Sequence, residues 1–153
     1  DTEGGDGSVV VATVHLESLQ NPERRAEQLQ IIGRILAPEK NVALMGDFNL
    51  CATSPENAAV DRLGMADSWA ALMPADQPGW TEDGSVNLML AVLHDAAARK
   101  LRFDRIMVRA DSWVLRSVEL LGTERIPASE IGVSSDPVWP SDHFGLTCSI
   151  VHK

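Results

Sequence analysis

The chain has 153 residues and a mass of 16.6 kDa, with 13 Lys and Arg against 22 Asp and Glu and a formal net charge of -9 at pH 7. That length supports one domain, and 44% apolar with 23% charged residues excludes a disordered tail, a collagen or a mucin-like stalk. No apolar run reaches the roughly 18 residues of a membrane span, and the opening DTEGGDGS lacks the cationic start and apolar middle of a secretory signal, so neither anchor nor signal is expected.

Asp1 stands where an initiator Met would, which reads as a processed or excised product. Residues 1–8 read as a flexible acidic, Gly-rich start, and 9–153 as the folded portion. The β-branched run Val9-Val10-Val11-Ala12-Thr13-Val14 predicts a strand covered on both faces that delivers His15 at its end. Asn21 then Pro22, with Glu23 in the first turn, predicts a helix N-terminus. Ala26, Leu29, Ile32 and Leu36 give it one apolar face, and Pro38 ends it. Asn41 to Met45 predicts a second buried strand running into Gly46-Asp47-Phe48-Asn49, so strand, helix and strand form a local α/β unit.

From Pro55 to Met73 short helical turns are expected, with Trp69 and Leu72 on one side. PADQPGWTEDGS, residues 74–85, reads as a long surface loop. Leu101 to Val108 predicts a strand containing Asp104, and Trp113 to Leu121 another. Ser134-Ser135-Asp136-Pro137 leads through Pro140 to Ser141-Asp142-His143, after which Phe144 to Val151 predicts a terminal strand. No repeat or linker divides the chain.

An acidic balance argues against a general nucleic-acid coat, because neutralising phosphates requires clustered cations. The average conceals a basic strip: Arg99, Lys100, Arg102, Arg105 and Arg109 stand against only Asp104. One face is therefore able to meet phosphate, and a solvated strand edge accounts for the strip equally well. Cys51 and Cys148 lie far apart in no Cys/His cluster, which argues against structural zinc and suits an intracellular, reducing compartment, with a single bridge left open.

Four short elements place a polar group beside an apolar strand pattern: His15-Leu16-Glu17-Ser18, Gly46-Asp47-Phe48-Asn49, Arg102-Phe103-Asp104-Arg105 and Ser141-Asp142-His143. Strand ends hold side chains with the rigidity a catalytic constellation needs. Singly, each has a plain structural account: a turn, a buried histidine, an Asp paired with Arg, a loop cap. In content and order together, the GDxN of 46–49, the strand Asp104 and the SDH of 141–143 resemble the endonuclease/exonuclease/phosphatase superfamily. The stretches His15 to Ser18, Arg25 to Leu29 and Lys100 to Ile106 look most like its tyrosyl-DNA phosphodiesterase branch.

The resemblance implies a part of the DNase I-like four-layer α/β/β/α sandwich, and metal-assisted hydrolysis of a phosphate ester by an in-line water. It gives Asp47 the task of orienting or deprotonating the water, supported by Asn49. His143 would stabilise charge on the scissile phosphate, oriented by Asp104, with Asp142 on the metal side. His15 and Ser18 would contact non-bridging oxygens, and Trp80, Arg102 and Arg105 the DNA. Oxygen-rich surroundings suit Mg2+ or Mn2+.

Two departures stand against the family pattern. Its early TWN-type asparagine and its QE-type metal glutamate precede the strand carrying His15, and neither is in this chain. Glu3 and Glu17 do not substitute for the glutamate. The polypeptide thus reads as the C-terminal half to two-thirds of the domain, with N-terminal strands of the sandwich missing. Cys51 holds a position where that branch carries an arginine, and a thiol supplies neither a cation-π contact nor a phosphate fork. The resemblance implies a phosphodiesterase of DNA ends that hydrolyses 5′-phosphotyrosyl links in repair, nuclear and cytoplasmic, with no membrane partner. The alternatives are a less selective DNase or small-phosphoester phosphatase, and a binding module: a half-domain, inactive on its own, that associates with its missing N-terminal segment or with another protein.

Overall fold

The computed structural model describes residues 7–18, 20–131 and 137–153. Glu3 and the Ser134-Ser135-Asp136 lead-in fall outside the described residues, as do most of the acidic start. Strand β1 (Val10–His15) is followed by helix α1 (Pro22–Leu36) and strand β2 (Asn41–Asp47). β1 and β2 pair in parallel, which requires the crossover that α1 supplies. Pro22 and Glu23 start the helix as expected, but Asn21 makes no side-chain cap hydrogen bond. The missing N–H of Pro22 removes one of the donors a cap would satisfy.

Helices α2 (Asn57–Asp61) and α3 (Ser68–Leu72) flank the short strand β3 (Ala66–Asp67). Then come β4 (Glu82–Asp83), α4 (Leu88–His94), β5 (Lys100–Leu101), β6 (Asp104–Ala110), β7 (Trp113–Leu121), α5 (Ala128–Ile131) and β8 (Gly145–His152). The main sheet has the order β1-β2-β6-β3, with β6 antiparallel to both neighbours. β7 and β8 form a separate antiparallel hairpin, and β4 pairs with β5.

One face of the main sheet carries the core: Leu29 and Leu36 of α1 pack with Val42, Leu44, Met107, Phe48, Leu50, Val60 and Leu63. On the opposite face Val11, Ala43, Met45, Ile106 and Val108 look toward Leu146, Cys148 and Ile150 of β8 across a cleft of about 370 Å³. A helical layer, a sheet and a second sheet are therefore stacked in the α/β architecture expected.

Several local expectations change. β1 is an edge strand, not one covered on both faces: its burial alternates, with Val11 62% exposed. The strand expected from Leu101 to Val108 breaks at Arg102 and Phe103 into β5 and β6. The loop of 74–85 contains β4, and both cysteines are free thiols. Among the described residues no helix is long and apolar enough to cross a membrane.

Candidate active site

The sheet register builds the site. His15 pairs with Asp47, and Asp47 with Asp104, so three neighbouring strands place these residues in one row at one end of the sheet. Parallel β1 and β2 present C-terminal ends there, where α/β sheets hold ligands. Gly46 adopts φ 131° and lies beside Val14, and a Cβ on it would collide with the Val14 carbonyl oxygen. Only glycine lets β2 pass so close to β1 at that point.

Asn49 then sits at φ 50°, a left-handed conformation that Asn tolerates. Its backbone N–H donates to Asp47 Oδ1 at 2.7 Å and its side-chain amide donates to the Leu16 carbonyl at 2.9 Å. The turn thereby fixes the Asp47 carboxylate and ties it to the end of β1. His15 is largely exposed, with Nε2 3.6 Å from Asp47 Oδ2.

The fourth member arrives from the loop before β8. The Phe144 N–H donates to the Thr81 carbonyl at 2.7 Å, and the Asn87 amide donates to the Ser141 and Asp142 carbonyls at 2.8 and 3.2 Å. The buried hydroxyl of Thr81 accepts from the N–H groups of both Phe103 and Asp104 at 3.1 Å. One threonine thus links the start of β6 to the histidine loop. His143 Nδ1 lies 2.8 Å from Asp104 Oδ2, and its Nε2 lies 3.0 Å from Glu82 Oε1.

Electrostatics follow from these contacts. Burial opposes charge on His143, but the hydrogen bonds its ring N–H groups donate to Asp104 and Glu82 outweigh it and raise the imidazole from 6.5 to about 10, so it is an imidazolium at neutral pH. Burial raises the Asp47 carboxyl, against the lowering effect of the Asn49 N–H, with Asp104 adding to the rise. A carboxylate so raised is a stronger base. Asp142 moves the other way: burial is outweighed by His94, whose Nε2 lies 3.1 Å from Asp142 Oδ2, and by the charge on His143.

His15, Asp47, Asn49, Asp104, Asp142 and His143, all expected from sequence, line one open cleft of about 440 Å³. A larger groove of about 600 Å³ between α1 and α2 carries none of them. Arg102 and Arg105 are a correction. Arg102 is buried, and its Nη1 donates to both oxygens of Asp67 at 2.7 and 2.9 Å. Arg105 is buried over the Phe48 ring and donates to Asn57 and the Leu50 carbonyl. Their guanidinium groups brace the fold and do not line the cleft; both are buried where only carboxylates and carbonyls satisfy them.

Ser18 is exposed and Trp80 half-buried, and both lie outside the cleft lining. Cys51, half-buried beside Thr53, is outside it as well. Sequence reasoning missed Glu82 and His94, which complete the cleft together with Arg99 of the basic strip, and the supporting Thr81 and Asn87. Thr81-Glu82 lies in a segment read as surface loop on its Pro and Gly content. The apolar run Leu88-Met89-Leu90 ending in His94 was the available signal for α4.

The cleft's oxygen donors are of the chemical type a hard cation takes, but they are committed elsewhere. Asp104 and Glu82 hold His143, Asp142 holds His94, and Asp47 accepts from Asn49. Among the described residues no three His, Cys, Asp or Glu side chains converge to hold a metal ion. The described residues therefore do not make up a complete Mg2+ site.

Comparison with known proteins agrees with the fold. The Endonuclease/Exonuclease/phosphatase family matches residues 2–143. Human tyrosyl-DNA phosphodiesterase 2 is 33% identical over 90% of this chain and 37% of its own length; the mouse protein is 30% identical over 95% and 38%. A crystal structure of D. rerio TDP2 complexed with single-strand DNA product superposes with a TM-score of 0.72 at 28% identity, over 92% of this chain and 55% of that one. Humanized D. rerio TDP2 gives 0.71 at 27%, over 94% and 55%. The chain thus spans little more than a third of the curated relatives and about half of the solved chains.

Proposed function

The chain belongs to the endonuclease/exonuclease/phosphatase family, and on that premise we propose that it acts as a phosphodiesterase on DNA ends, hydrolysing 5′-phosphotyrosyl links in repair. The observation that carries the reading is the row His15, Asp47 and Asp104, closed by His143 paired to Asp104. The names of the similar curated proteins support the tyrosyl link, and the DNA-product complex of D. rerio TDP2 supports a DNA strand.

In this proposal Asp47, fixed by Asn49 and raised by burial, orients the attacking water and takes its proton. The His143 imidazolium, aimed by Asp104, stabilises the charge that builds on the non-bridging oxygens. His15, at the rim and free to turn, adds a second donor to phosphate. Mg2+ or Mn2+ belongs to the proposal, with Asp142 as this chain's candidate ligand, and it would supply electrophilic stabilisation of the phosphate when bound. Ser18 and Trp80 are assigned to the strand beyond the scissile phosphate. The role in repair places the protein inside the cell, in nucleus and cytoplasm.

A second reading, a DNA-end-binding unit without turnover, is favoured by the incomplete set of metal donors among the described residues. One experiment separates the readings. The protein is given a 5′-tyrosyl oligonucleotide, plain duplex DNA and p-nitrophenyl phosphate with Mg2+. Release of tyrosine with intact duplex supports the proposal, whereas duplex cleavage or turnover of the small ester alone supports a broader nuclease or phosphatase. Retention of the tyrosyl strand without product supports the binding unit.

A further inference from the structure

Glu82 is absent from the roles assigned above, yet it occupies the centre of the cleft. Its side chain is 2% exposed, and its backbone is fixed on both sides. The Thr81 N–H donates to the Leu101 carbonyl at 3.0 Å, the Gly84 N–H to the Arg99 carbonyl at 2.9 Å, and Glu82 itself pairs in register with Leu101. Only the side chain is free to move.

Two cations converge on a single oxygen of that carboxylate. Oε1 lies 3.0 Å from His143 Nε2 and also accepts from Arg99 Nη2. The arrangement is poorly matched for a structural ion pair. Glu82 Oε2 is buried with no hydrogen-bond partner, and Arg99 Nε is buried with none either. A guanidinium serving only to neutralise a carboxylate takes it with two parallel N–H groups, as Arg25 takes Glu56 through Nε and Nη2 at 2.9 and 2.8 Å. Here one acceptor oxygen and one donor N–H are left over, both beside the cleft lined by Asp47, Asp104 and His143.

The geometry points to Glu82 as an internal competitor for the phosphate subsite, its carboxylate holding the place between His143 and Arg99 that a phosphate oxygen takes when substrate enters. This rests on the phosphodiesterase reading for the identity of the anion. Two anions cannot share one pair of donors, because like charges a few ångströms apart in a cleft of low dielectric repel strongly. Binding therefore exchanges Glu82 for phosphate. A phosphate, having several oxygens, satisfies Arg99 Nε as well as Nη2, which the carboxylate does not. The device sets a threshold: weak anions are excluded, and an ester gains the subsite only when its other contacts supply the energy of exchange.

The test uses inorganic phosphate as probe and the 153-residue chain, with binding followed by calorimetry and by the His143 ring signals in NMR. Glu82→Gln, isosteric but uncharged, binds phosphate at least about tenfold more tightly than the parent. Arg99→Met in the Glu82→Gln background removes most of that gain. Glu82→Asp, which withdraws the charge by one methylene, gives a smaller gain and serves if the Gln variant does not fold. Equal or weaker phosphate binding in a folded Glu82→Gln or Glu82→Asp, or no phosphate binding in any of them, overturns the inference. Turnover is not the readout, so a protein that shows the exchange but no hydrolysis sinks the phosphodiesterase reading and leaves the exchange standing.

Discussion

The Asp104 carboxylate meets the His143 imidazole at 2.8 Å across 39 residues of sequence, one group at the start of β6 and the other in the loop before β8. This contact, with Glu82 on the opposite nitrogen, outweighs burial and keeps His143 protonated to about pH 10. Asp104→Asn therefore drops the His143 pKa toward its ordinary 6.5, read by NMR titration of the ring carbons. The folded-state value lies above the unfolded one, so the stabilisation is fully present below about pH 6.5 and is lost as pH rises toward 10. The difference in stability between parent and Asp104→Asn accordingly shrinks between those pH values, in urea melts at constant ionic strength.

Gly46 is held at φ 131° with the Val14 carbonyl where a Cβ would be. Gly46→Ala forces β1 and β2 apart at the residue before Asp47. The expected cost is about 3 kcal/mol, seen as a fall in Tm of roughly 10 °C for a chain of this size.

Arg102 braces the interior through Asp67, which also caps α3. Arg102→Met leaves the half-buried Asp67 carboxylate with only the α3 N–H groups and the more distant Arg105, and destabilises the fold by about 2 kcal/mol. Affinity for a DNA strand, measured by fluorescence anisotropy on the folded fraction, changes less than about twofold. A strong loss of DNA affinity without loss of stability would return Arg102 to the substrate.

Every carboxylate of the cleft already has a cationic or N–H partner, and among the described residues no three His, Cys, Asp or Glu side chains converge to hold a metal ion. Mg2+ added to the 153-residue chain therefore binds weakly, with no saturation below about 1 mM by calorimetry. Saturable micromolar binding would mean that these side chains rearrange into a coordination shell.

The site was legible where the chemistry is written in contiguous residues. Gly46-Asp47-Phe48-Asn49 could be read because a close strand contact, a carboxylate, a core ring and a left-handed turn each demand a particular residue, and the structure uses all four in those ways. The parallel β1-α1-β2 unit was legible from β-branched runs around an amphipathic helix. Arg102 and Arg105 misled because a basic strip in sequence has no fixed face. Arg105 of β6 and Arg102, in the break between β5 and β6, both point inward, toward Asn57 and Asp67, and those partners lie tens of residues away. Glu82 was hidden for the opposite reason. It sits among Pro and Gly, and only the pairing of β4 with β5, two residues each, carries it beneath His143.

The most direct test of the account is the rate of tyrosine release from a 5′-tyrosyl oligonucleotide in excess Mg2+, compared between the chain and Asp47→Asn. With Asp47 as the residue that takes the proton from water, the parent shows slow, Mg2+-stimulated release and the variant loses at least about 100-fold, while its Tm and its binding of the oligonucleotide are retained. Release at the same rate in a folded Asp47→Asn, or none from the parent above the variant's background, would contradict it.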